Sequence, residues 1–365
     1  MKNVLMTASV LAFAAGSAVA GGIERSTQST AILFENADNY VEFSLSGLRP
    51  DVSGTVAGGA VSSGDMALGY GGVSAGYKHR INEALDFALI YDQAIGADVS
   101  YPTGTSYPIA GSVASIDNDA LTALLKYKTP QNLSVFGGVR ALKTSGTASL
   151  LPASAQYELR AGPETDFGYV LGVAWEKPEI AARVALTYNS KITHDFSASE
   201  ASVYTGGAFV TSDFSSTIPQ SVNLEFQSGI AKDTLLFGSV RWVDWSAFDL
   251  TPNHYATGLG QGSLVYYTED VVTYNIGLGR KFNESWSGAV TFGYEKSTGT
   301  PTIQLGPTDG FKSVGLAATY TRDNIKVTGG VRYVAIGDAT TNPPLSGSFT
   351  DNSGIGAGIR IGYSF

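Results

Sequence analysis

The segment Gly72-Val73-Ser74-Ala75-Gly76 has the spacing of a nucleophile elbow, in which a serine on a sharp strand-to-helix turn attacks an acyl carbon. That chemistry needs a base near the hydroxyl, and the only histidines are His79, His194 and His254. Here the five residues lie in an alternating run of small side chains that reads as a strand, with no helix after it, so the hydroxyl is not presented. Gly258-Leu259-Gly260-Gln261-Gly262 has the glycines of a phosphate cradle but again no following helix to face an anion. The histidines are not at metal-ligand spacing. The absence of cysteine excludes disulfide scaffolds, thiolate metal sites, iron–sulfur clusters and thiol nucleophiles. No catalytic residue, metal or cofactor is expected.

What remains are charges embedded in otherwise apolar alternation: Glu42, Asp86, Asp92, Lys126, Arg140, Arg183, Glu225, Arg241, Arg332 and Arg360. Such groups can pair with one another or hold an anionic headgroup through charge-assisted hydrogen bonds. Their positions follow from the elements that carry them. Leu133, Val135, Val139 and Ala141 share one face of a period-two segment, and Ser134, Phe136 and Arg140 share the other. The same alternation runs through Tyr169 to Trp175, Ile180 to Tyr188, Val272 to Leu278 and Val314 to Tyr320. Helical periodicity is nearly absent.

About fourteen such segments start near Tyr40, Leu68, Ala84, Asp117, Gln131, Thr165, Glu179, Pro219, Lys232, Thr268, Ser285, Gly310, Asn324 and Asn352. Short polar turns such as Arg80-Ile81-Asn82-Glu83 and Phe282-Asn283-Glu284 alternate with long Gly/Ser/Thr/Pro-rich stretches such as 193–218 and 249–267. Segments of about ten residues joined alternately by tight and long connections are what a bacterial outer-membrane β-barrel requires. An even strand count closes the sheet, so no unpaired backbone edge faces lipid. Charges facing lipid near the midplane cost about 2 to 4 kcal/mol each, which directs the ten charged residues inward. The expected fold is an all-β transmembrane antiparallel barrel spanning 40–365.

Composition agrees. Tyr 19, Phe 17 and Gly 44 with 15% charged residues describe a β-rich, aromatic chain. Lys+Arg 23 against Asp+Glu 32, net charge -9, excludes the basic field that nucleic acid demands. Lys2, the apolar run Val4 to Ala15 and the small residues Ala18-Val19-Ala20 before Gly21 read as an export signal over 1–20 that is removed. The last strand places Ile355, Ala357, Ile359, Ile361, Tyr363 and Phe365 on one face and ends on an aromatic. Phe365 so placed resembles the signal read by the barrel-assembly machinery.

The segments Leu186 to His194, Ile218-Pro219-Gln220-Ser221-Val222-Asn223-Leu224 and Val240-Arg241-Trp242-Val243-Asp244-Trp245-Ser246-Ala247-Phe248 resemble successive signature strands of the FadL family of outer-membrane transporters of long-chain fatty acids and aromatic hydrocarbons. Leu316 to Tyr320 and Ile325 to Tyr333 fit its late strands. The resemblance implies a monomeric fourteen-stranded barrel with a plug, or hatch, at 21–39 in which Ile23, Glu24, Arg25 and Gln28 take part. It also implies release of the ligand sideways into the membrane through a kinked third strand. The Asn-Pro-Ala tripeptide associated with the hatch is missing here, which implies a smaller plug.

Two readings rest on the residues themselves. After Phe87 to Asp92 the alternation breaks at Gln93-Ala94-Ile95-Gly96-Ala97-Asp98, and glycine inside a strand commonly marks a bend. Asp92, Gln93, Gly96 and Asp98 are therefore expected to border a lateral gap. Outer stretches also offer Tyr101, Tyr107, Phe196, Phe214, Phe248, Tyr255, Tyr266 and Tyr267 as apolar area for a hydrophobic ligand. An acid would want a cation nearby, for which Arg241, Lys191 and Arg160 are candidates, whereas a neutral hydrocarbon would not. The expected partners are a hydrophobic small molecule and the lipid and lipopolysaccharide of the outer membrane. The alternative is a general diffusion porin or a structural barrel built on the same shell.

Overall fold

The computed structural model describes residues 22–151 and 156–365. The export signal expected over 1–20 and its boundary at Gly21 lie outside the described residues. Fourteen antiparallel strands form one wall: β1 Asn39–Asp51, β2 Tyr70–Arg80, β3 Leu85–Asp92, β4 Val113–Lys128, β5 Leu133–Leu150, β6 Tyr157–Lys177 and β7 Ala182–Asn189. The wall continues with β8 Ser221–Ala231, β9 Thr234–Val243, β10 Val271–Lys281, β11 Trp286–Glu295, β12 Phe311–Arg322, β13 Ile325–Ile336 and β14 Ser353–Ser364. Each strand pairs with the next, and β1 pairs with β14 from Tyr40↔Ser364 to Asp51↔Ser353, which closes the barrel. Among the described residues no helix is long and apolar enough to cross a membrane.

Period-two alternation becomes inside and outside. Along β6, Phe167, Tyr169, Leu171, Val173 and Trp175 are exposed, while Val170 and Ala174 are buried. An outer face of large exposed apolar side chains on all strands but β9 is stable only against hydrocarbon. Aromatics collect near the short-turn end, where Trp286 and Tyr320 lie 5.0 Å apart and Tyr363 stacks on Phe365 at 5.7 Å. The short turns use residues that tolerate the left-handed region, including Asn132, Asp233 and Asp323.

Strands β4 and β6 begin earlier than the alternation predicts, at Val113 rather than Asp117 and at Tyr157 rather than Thr165. β4 to β6 continue past the lipid band, where neither face has to be greasy and the pattern fades. Pro163, which cannot donate to a ladder, is accommodated by a bulge: Thr144↔Glu164 is followed by Gly146↔Ala161.

Residues 22–38 run inside the barrel. Ile32, Leu33 and Phe34, in the short 3-10 turn Ala31–Phe34, pack on inward residues Ala88, Leu124, Phe136, Val170, Ala174 and Ala185. The Phe34 ring sits between two cations, 4.1 Å from Lys126 Nζ and 4.5 Å from the Arg183 guanidinium carbon, and edge-on to Phe136 at 5.8 Å. Lys78 donates to the carbonyls of Glu35 and Ala37. Gly172 leaves the room that Phe136 needs, since a Cβ there would meet its ring.

Candidate functional site

The third strand breaks where the alternation does. The β2–β3 ladder ends at Ala75↔Tyr91, and the chain resumes pairing only as the short strand Ala97–Ser100, hydrogen-bonded to β4. Between them the backbone turns inward and pairs with residues 23–26 instead. Gly96 N donates to Ile23 O, and Arg25 N and Ser26 N donate to Ala94 O. Above the break, Ser100 N donates to Met66 O and Leu68 N to Asp98 O. The result is a window in the wall, framed by Tyr70 to Ser74 on one side and Asp92 to Gly96 on the other. One side-chain bond crosses it, from Val73 N to Gln93 Oε1.

Inside this window lies a lumenal cavity of about 160 Å³, lined by Arg25, Ser44, Tyr70, Val73, Ser74, Asp92, Gln93, Arg332 and Arg360 among others. Its polar groups are largely engaged with one another. Arg140 pairs with Asp92 at 2.9 Å and Arg25 with Asp98, while Arg360 Nη1 stands 3.9 Å from Glu42. Of the residues expected in a hatch, Gln28 is buried within the same segment as Glu24 and Ile23.

Outward of the cavity is an apolar chamber. Phe196, Phe214 and Phe248 join Ile23, Leu159, Trp245, Leu264, Val265 and Ile303 in one buried cluster, with Tyr255, Tyr266 and Tyr267 at its edge. Ile192–Phe196 pairs with Phe214–Ile218 as a two-stranded ribbon, which brings the Phe196 and Phe214 rings to 5.3 Å. Trp245 is 1% exposed, edge-on to Phe248 and Tyr267, and covers Gly22 where a Cβ would collide with its ring. Two small contiguous cavities of about 60 Å³ each share Ile23, Ala97, Val99, Tyr267 and Leu305. The first is lined entirely by uncharged residues. Burial pushes the hydroxyls of Tyr267 and Tyr255 above the usual phenol range, so the walls stay neutral at physiological pH.

Other expected site residues lie elsewhere. Tyr101 and Tyr107 stack on each other at 5.3 Å in a second cluster with Met66 and Phe349, under the first and last outer loops. Lys191 is exposed, and Arg160 is also exposed, on the far outer part of β6 over the Phe209 ring. Neither lines the chamber. Arg241 is buried beside it, and Glu24 takes its Nε/Nη2 edge, through Nε at 3.0 Å and Nη2 at 2.6 Å, while its Nη1 is buried without a hydrogen-bond partner. Spacing could not reveal this pairing across 217 positions; Trp245 was visible only as one residue of the Trp-Ser-Ala-Phe stretch.

The loops between barrel strands on this side are acidic. They carry Asp65, Asp98, Asp195, Glu200, Asp213, Asp244, Asp249, Glu269, Asp270, Asp309, Asp338 and Asp351, against Lys191 and Lys296. Glu200, fully buried, fastens two of these loops to the outer end of β6: Tyr157 Oη donates to it at 2.7 Å, His254 N at 2.8 Å and Tyr255 N at 2.7 Å, with Ser212 Oγ as a fourth donor. Burial, then this bond to Glu200, raises the Tyr157 hydroxyl above its ordinary range. Glu200→Ala would strand these donors at about 1 to 3 kcal/mol each. Limited proteolysis of the variant should cleave within 198–262 much faster than in the parent, with the barrel itself intact.

The sequence profile of the family described as outer membrane protein transport protein (OMPP1/FadL/TodX) matches residues 11–352. No curated protein matches the chain at a significant level. Among solved structures, a FadL homologue of Pseudomonas aeruginosa superposes with TM-score 0.77 at 15% identity, covering 97% of this chain and 98% of that one. The toluene transporter TbuX of Ralstonia pickettii superposes with TM-score 0.65 at 14% identity over 96% and 97%. The toluene transporter TodX of P. putida does so with TM-score 0.64 at 13% identity over 96% and 94%. These likenesses concern the fold.

Proposed function

Because the chain belongs to the FadL/TodX family of outer membrane transport proteins, we propose that it takes small hydrophobic molecules through the bacterial outer membrane and delivers them sideways into the bilayer. The observation that carries the reading is the window in the third strand beside the lumenal cavity, with a smaller cavity that shares Arg25 and Tyr70 with it and Ile23 and Tyr267 with the apolar chamber. A ligand caught among Phe196, Phe214 and Tyr267 would pass Ile23 and leave between Val73 and Gln93. Greasy cargo gains nothing from the aqueous periplasm and about 25 cal/mol per Å² of apolar surface on entering hydrocarbon, which favours the lateral exit.

Residues 22–38 act as the hatch in this reading. Their bonds to Ala94 and Gly96 couple the hatch to the window frame. A filled lumen supports a carrier of specific molecules over a diffusion porin. Catalysis plays no part: Ser74 lies within β2, in register with Ser44 of β1, and not on a turn. His79 is bonded to Asn39 at the short-turn end of the same strand. We further propose that the chain works as a monomer, that its outer face contacts lipid and lipopolysaccharide, and that Phe365 is read by the assembly machinery.

Gly96 tests the route. A Cβ there would stand 2.6 Å from the Arg25 guanidinium carbon, so Gly96→Leu pushes Arg25 from Asp98 and fills the frame. Cells expressing it should accumulate a labelled alkylbenzene several-fold more slowly than cells with the parent protein. Unchanged uptake by a correctly assembled barrel refutes the lateral exit.

A further inference from the structure

Resting on that reading, we infer that the chamber takes neutral hydrophobic molecules and rejects ionised acids, and that Glu24 sets this preference by serving as a built-in carboxylate for Arg241. Three observations converge. The first apolar cavity, walled by Phe196, Phe214, Leu159 and Tyr267, has no charged residue in its described lining, and the adjoining one adds only Glu24, Arg25 and Asp98, of which Arg25 and Asp98 pair with each other. Arg241, the buried candidate cation among the described residues, is 4% exposed and already bonded by Glu24, itself buried, through both Nε and Nη2. The loops above carry twelve acidic residues and two lysines, with exposed Arg160 on the outer end of β6 beside Glu158, a net acidic field that lowers the local concentration of any anion.

Competition can be judged by magnitude. Glu24 is tethered one residue from Ile23, which lines the chamber, and a short tether gives an effective concentration of about the millimolar range or above. A dissolved long-chain acid is far more dilute, and it would have to shed its hydration and enter beside a carboxylate of like charge. Arg25, the next cation along, is likewise occupied by Asp98. A neutral ring or alkyl chain meets none of these penalties. The pair thus offsets the charge of Arg241 beside the chamber while pinning residue 24 to β9.

The test uses two probes of one shape, 4-phenylbutan-1-ol and 4-phenylbutyrate, titrated calorimetrically at pH 7.5 into full-length mature protein in lipid nanodiscs. The wild type should bind the alcohol at least tenfold more tightly than the anion. In Glu24→Gln, Arg241 loses its internal partner and the ratio should narrow at least tenfold; adding Arg241→Met should restore the wide ratio. Equal binding of the two probes by the wild type overturns the inference alone, and does so even where Glu24→Gln fails to assemble. A ratio untouched by Glu24→Gln in an assembled barrel overturns the role given to Glu24. Binding of neither probe overturns the transport reading along with it.

Discussion

Phe34→Ala should pass far more ion current than the parent barrel. The ring is the main wedge between the hatch and the inner end of the wall, held by Lys126, Arg183 and Phe136 at once. Truncating a buried phenylalanine costs about 3 to 5 kcal/mol, and the two cation–π contacts add about 0.5 to 2 kcal/mol each. The backbone bonds at 94–96 and the Glu24–Arg241 pair would still tether residues 23–26, so the expected behaviour is flicker rather than a permanently open pore. Planar-bilayer recording checks it: frequent brief openings are expected for the variant and near silence for the parent. A silent Phe34→Ala would mean that the lumen is sealed by its side chains and not by the hatch.

The second large effect concerns the wall. Leu171, 54% exposed at the middle of the lipid-facing row of β6, should not tolerate arginine, because a charge at that depth costs about 2 to 4 kcal/mol. The folded fraction of Leu171→Arg, read by heat-modifiable gel mobility after refolding into vesicles, should fall well below that of the parent. Leu171→Phe should refold normally. Equal folding of the arginine variant would place this face against something other than hydrocarbon.

What could be read from the sequence was whatever the bilayer enforces. Hydrocarbon on one side and a packed lumen on the other make every second residue apolar, so the strands through Val139, Val173 and Ile359 were legible, as were the short turns beside Asn132, Asp233 and Asp323. The same logic put Asp92, Arg140 and Arg241 inside before any partner was known. The break at Gln93 to Asp98 showed as a lapse in alternation. Beyond the lipid band the constraint relaxes, which is why the outer ends of β4 and β6 were underestimated. Least legible were pairings across the chain: Glu24 with Arg241, Trp245 with Gly22, Phe34 with Lys126 and Arg183. No local period links such residues, because the closed wall alone brings them together.

The first and last outer loops share one small sheet, in which Gly54–Val56 pairs with both Val61–Ser62 and Ser348–Phe349, and the latter pairs with Ala339–Thr340. Beneath it β1 zips along the whole length of β14. Contacts between opposite ends of a chain form late, since the intervening polymer must be ordered first. Residues 22–38 are therefore enclosed only when the last strand docks. A copy cut short before Ser353 would keep that small sheet yet lack the seam and the last greasy row, leaving β1 and β13 as raw edges.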